Sequence, residues 1–162
     1  MPVYHTEKFM EFRSGAFDCH RHDFSIKEHN FIGLFSAVDI HDRPYHELRC
    51  EEIGFQIPDD CYDIKFDRLE NFNNENYFAP PARGQCSRDI NFPNELADAL
   101  KTIITLHHNE YRAKAYFAVA ETDKLKRFYD RILQDIPNYV VCEVATNLGE
   151  EGKGYALKTR YF

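Results

Sequence analysis

Apolar positions in the C-terminal half follow first the period of a helix and then the run of a buried strand. Leu96, Leu100, Ile103, Ile104 and His107 fall at i, i+4, i+7, i+8 and i+11, which predicts a helix over about 94–109 opening after Pro93. The segment from Lys114 to Ala120 is short, apolar and aromatic, as a central strand covered on both faces would be. Leu125, Phe128, Tyr129, Ile132, Leu133 and Ile136 then make one stripe opposite Lys124, Lys126, Arg127, Asp130, Arg131 and Gln134. That pattern predicts an amphipathic helix over 122–136, stopped by Pro137, which lacks an amide donor. A strand over 139–146 follows. Turn chemistry (N-L-G-E-E-G-K-G) occupies 147–154, and the alternation of Tyr155, Leu157, Thr159 and Tyr161 closes the chain as a hairpin strand.

The N-terminal half reads as an antiparallel meander, with strands at about 8–13, 31–39, 47–57 and 62–69. Its breakers are Ser14-Gly15, Arg43-Pro44 and Pro58-Asp59-Asp60. Glu70 to Gly84 holds Asn71, Asn73, Asn74 and Asn76 and then Pro80-Pro81, which predicts a long loop without regular structure. The expected fold is a single α+β domain over 1–162 with a mixed, mostly antiparallel sheet of about six or seven strands. It comprises a β-rich half (1–69), a polar Asn/Pro segment with a short strand (70–92) and a helix-strand-helix-hairpin half (93–162). In this scheme 114–120 is an interior strand flanked by two principal helices, and Leu125, Phe128 and Ile132 are buried over Phe117 and Val119. Phe128→Ala would then cost roughly 3–5 kcal/mol, as aromatic truncations in cores do.

Composition adds limits. Hydrophobic residues are 43% of the 162 and aromatic residues 15%, enough for a packed core and too many for intrinsic disorder. No window nears the roughly 18 apolar residues of a membrane span, and Met1 to Arg13 holds no apolar signal core, so the expected address is cytoplasmic. A net charge of −7 argues against nucleic acid or an anionic membrane as partner, although full protonation of the eight histidines would bring it to +1. Cys19, Cys50, Cys61, Cys86 and Cys142 are odd in number and widely spaced, reading as reduced thiols.

The densest chemical cluster is Cys19-His20-Arg21-His22-Asp23. On an extended segment His20 and His22 share one face, so both imidazoles could reach one divalent metal, with Glu28 as third ligand. His41, Asp42 and His46 flank Pro44 in what reads as a turn, and His107 and His108 end a helix. There is no G-x-S-x-G elbow, Walker loop or G-x-G-x-x-G, which gives nucleophilic catalysis little footing and argues against a kinase, a P-loop NTPase or a Rossmann dehydrogenase.

The C-terminal order of helix, buried strand, amphipathic helix and two strands, with the segment T-D-K-L-K-R-F-Y-D-R-I-L (Thr122 to Leu133), resembles the second half of GNAT-type N-acyltransferases. In that family the helix carries N-x-x-A-x-x-x-Y, whose Tyr protonates the departing coenzyme A thiolate; Tyr129 matches it, with Thr122 and Leu125 at the Asn and Ala positions. The resemblance implies an acyl-CoA cosubstrate, Tyr129 at the mouth of a cleft where strands 114–120 and 139–146 splay, and Arg88 near the acyl-CoA. The family's glycine-rich pyrophosphate loop is replaced by Ser87 to Pro93, which holds no glycine. Two further readings stand beside a GNAT-like acyltransferase or degenerate relative. One is a non-enzymatic protein-interaction module of phage, plasmid or immunity type; the other is a metal-dependent small-molecule binder built on His20 and His22.

Overall fold

The computed structural model describes residues 2–4, 8–80 and 89–162. In chain order its elements are β1 (Pro2–Tyr4), β2 (Met10–Ser14), β3 (Phe17–Ile26), β4 (His29–Ala37), α1 (Arg43–Ile53), β5 (Cys61–Arg68), α2 (Leu69–Asn73), α3 (Phe92–Tyr111), β6 (Ala115–Val119), α4 (Asp123–Leu133), β7 (Val141–Leu148) and β8 (Gly154–Thr159). The strands form one eight-stranded sheet in the order β1-β3-β4-β5-β6-β8-β7, with β2 also paired to β3. Every pairing is antiparallel except β5 with β6. The fold class is therefore the expected α+β with a mixed, mostly antiparallel sheet. No helix among the described residues is long and apolar enough to cross a membrane.

Alternation along the strands sends side chains to two cores. Phe24, Phe35, Tyr62, Ile64 and Tyr116 pack with Leu100, Ile103 and Ile104 of α3 and Ile132 of α4. On the opposite face Cys61, Ala115, Phe117 and Ala156 pack with Cys50 and Ile53 of α1. The strand β6 contributes to both, which is why its sequence is apolar without alternation. Gly33 lets α3 lie close to the sheet: a Cβ there would sit 3.2 Å from the Phe66 ring and 3.5 Å from Ile103.

Five expectations need correction. The segment 47–57 is no strand: residues 43–53 form α1, because the Asp42 side chain caps the Tyr45 amide, Pro44 suits the first turn and Gly54 ends the helix at φ 92°. The ten-residue β3, absent from the sequence reading, pairs with β1, β2 and β4. The polar stretch after β5 begins with the helical turns of α2 before its irregular part. Only Ile132 of the α4 stripe is fully buried; Leu125 and Phe128 are half-buried, since α4 covers the rim of the sheet. Phe117 points to the α1 side and Val119 is exposed, so neither is the surface on which that stripe rests.

Candidate active-site cleft

The parallel pair β5/β6 sets the site. Its register covers Cys61 with Ala115, Tyr62 with Tyr116 and Asp63 with Phe117, and then stops. Past Asp63, β5 runs on to Arg68 while β6 ends at Val119, leaving that edge of β5 without a strand partner among the described residues. The chain leaves β6 because the buried Ala120 donates its amide to the Lys153 carbonyl, after which Thr122 caps α4 by accepting from the Leu125 amide at 3.1 Å. The sequence reading placed the gap between 114–120 and 139–146, but β8 lies between those strands and is hydrogen-bonded to both.

On the α1 face the gap widens into a cleft of about 800 Å³ walled by α1, β5, β6 and the β7–β8 turn. Arg49 of α1 crosses to β5 with a two-pronged contact to Asp63 (2.7 and 2.6 Å) and donates to the Tyr45 hydroxyl at 2.9 Å. The Asp63 hydrogen bonds outweigh burial and raise the Arg49 pKa, so this cation is permanent. The walls carry Glu52, Asp63, Glu121, Glu150 and Glu151 against Arg49, Lys65 and Lys153. Two of those three cations are already paired, Arg49 with Asp63 and Lys153 with Asp123 at 3.5 Å. The cleft therefore presents a negative field.

Tyr129 lines this cleft and also the smaller cavity behind it. Burial, together with the Glu121 and Asp67 carboxylates, pushes its phenol up to about 12, so it keeps its proton at neutral pH. Its ring meets the Tyr155 ring edge-on, with centroids 6.0 Å apart. Tyr155 in turn donates to Asp130 Oδ1 at 2.6 Å and approaches the Lys126 carbonyl at 3.2 Å, tying α4 to β8 on either side of Tyr129.

The histidine pair has a different setting. His20 and His22 do share a face of β3, but that face is the core. His20 Nδ1 lies 2.9 Å from His107 Nε2, and His107 Nδ1 lies 2.7 Å from the Tyr116 hydroxyl. Tyr111 stacks on His20 at 3.7 Å and donates to Glu11 at 2.8 Å. Burial drives His107 down to about 2, helped by the neighbouring His20 and His108, and burial also lowers His20 despite Glu11 and Asp18. His22 packs edge-on against Phe9 and Tyr4. Glu28 sits in the exposed turn beyond Ile26, beside His29, and so is not brought to the two imidazoles. Among the described residues no group of three or more His, Cys, Asp or Glu could hold a metal ion. Arg88 lies outside the described residues.

Sequence reasoning missed Arg49 and Tyr45, which lay in a segment read as strand and turn, and it missed Asp130 with Tyr155. Nothing local links the last two; only the β8–α4 packing joins them. Comparison with protein-family models, curated proteins and solved structures returns no match in any of the three.

Proposed function

We propose that the chain is a GNAT-like N-acyltransferase, or a relative of one, that uses the opening between β5 and β6 to hold an acyl-CoA and the acidic cleft to hold an amine acceptor. The observation that carries this reading is a parallel pair that hydrogen-bonds over three positions and then opens, with Tyr129 presented at the opening by the helix following β6. The edge of β5 from Ile64 to Arg68, which has no strand partner among the described residues, offers backbone donors and acceptors to an extended, amide-bearing arm, as an added strand would use them. Negative walls favour a protonated amine on encounter, and in this reading Glu121, on the cleft wall, takes its proton.

The thioester supplies an activated acyl carbon. The deprotonated amine forms the new C–N bond, the C–S bond breaks, Tyr129 gives its proton to the departing sulfur, and the proton shed by the acylated nitrogen restores the phenol. Burial keeps the Tyr129 phenol protonated at neutral pH, so its proton is in place when the sulfur departs. In the absence of a glycine-rich loop the phosphates fall to backbone groups ahead of α3 and to Arg88.

With acetyl-CoA and a panel of primary amines, thiol release is expected from the native chain. Tyr129→Phe should lower turnover by about 10²-fold with acyl-CoA affinity nearly unchanged, since only the proton is lost. Unchanged turnover in Tyr129→Phe would remove the phenol from the mechanism. A protein-interaction role has one observation in its favour: β2, on the outer edge of β3, is exposed along its length and displays Met10 and Phe12.

A further inference from the structure

The opening between β5 and β6 leads two ways. Toward α1 it meets the polar cleft. Toward α3 and α4 it meets a second cavity of about 40 Å³, and the two share Ile64, Ala118, Tyr129 and Tyr155. Beyond those shared residues the walls are Leu100 and Ile104 of α3, Ile132 and Leu133 of α4, and neighbouring apolar side chains of the sheet. Among the described residues the lining is aliphatic and aromatic, and the hydroxyls of Tyr129 and Tyr155 are the only polar side-chain atoms those residues carry.

An apolar recess left unfilled lacks dispersion partners along its lining, even where one side is open. Water gains little there, since it needs two to four polar partners. An apolar group arriving through the opening would recover the lost contacts. At roughly 10–15 Å³ for each water-sized group, the cavity accommodates about three methylene-sized groups.

We propose that this cavity is an acyl-chain subsite that makes the chain prefer a short aliphatic acyl group of about four carbons over acetyl. The inference rests on the acyltransferase reading. With the thioester carbonyl at the opening beside Tyr129, a butyryl group sends three carbons into the cavity where acetyl sends one. Each added methylene contributes about a threefold to fourfold gain, the transfer value of ~0.8 kcal/mol per buried CH₂. Chains longer than the cavity meet the packed side chains of α3 and α4 and gain nothing more.

Calorimetric titration of the full chain with acetyl-, butyryl- and octanoyl-CoA tests this. Butyryl-CoA should bind about tenfold more tightly than acetyl-CoA, and octanoyl-CoA no more tightly than butyryl-CoA. Leu133→Phe, which fills the cavity from its half-buried rim, should bring the butyryl-to-acetyl affinity ratio to about one. Leu133→Ala, which enlarges it, should move the optimum to a longer chain and keeps the test open if the phenylalanine variant does not fold. Equal binding of acetyl- and butyryl-CoA by the native chain would overturn the subsite alone. Failure of all three to bind, acetyl-CoA included, would overturn the acyltransferase reading and the subsite with it.

Discussion

Tyr155 shows how one hydroxyl can fix the environment of another residue. Its O–H reaches Asp130 from the adjacent strand β8, and the same contact holds α4 so that Tyr129 stands at the opening. Burial and Asp130 raise the Tyr155 phenol, while that bond and Lys126 lower Asp130, so the pair is a neutral donor on a carboxylate at physiological pH. Tyr155→Phe keeps the ring and removes the bond. A loss of about 1 kcal/mol is expected in urea unfolding, the usual net worth of one hydrogen bond, because Asp130 is partly exposed and free to turn to water. A loss indistinguishable from zero would mean that ring packing alone fastens α4.

The elements differed in how much of them could be read from the sequence. Both C-terminal helices and the interior strand were legible because stripe, cap and stop agree: Thr122 caps, the apolar positions of α4 repeat with helical period, and Pro137 follows. The helix α1 was not, because its few apolar residues do not gather on one face and Leu48 is exposed, so no stripe announces it; Asp42 and Pro44 signal a helix start as well as a turn. The strand β3 was masked by polar residues, its core face being made partly of His20 and His22, whose burial depends on His107 and on aromatic neighbours far along the chain. In the same way Tyr129 was legible as a candidate, whereas the partners that set its position were not. Two stability measurements follow. Ile132→Ala should cost about 2–5 kcal/mol and more than Phe128→Ala, because only Ile132 is fully buried; the reverse order would place α4 deeper than described. Asp42→Ala should cost about 1 kcal/mol through loss of the α1 cap, and no loss would mean that the Tyr45 amide is satisfied without it.

For the whole molecule the buried histidines set the response to acid. His20, His107 and His108 all have folded pKa values below the unfolded value of 6.5, chiefly through burial. Below about pH 6.5 the unfolded chain therefore binds protons that the folded chain does not, so stability is complete above that pH and falls as the pH drops. Each group adds a slope of up to about 1.4 kcal/mol per pH unit in that window. Urea midpoints should fall steeply between pH 6.5 and 5, and His107→Phe should flatten part of that fall. A flat profile in the native chain would show that the imidazoles are protonated in the fold. The same architecture that buries these rings on one part of the sheet leaves β5 and β6 apart at another, and the functional account depends on that opening. The most direct test is an amide NMR titration with acetyl-CoA. Shifts concentrated at Ile64 to Arg68 of β5, at Ala118 and Val119 of β6 and around Tyr129 are the predicted result; no shifts, or shifts confined to β2 and β3, would contradict it.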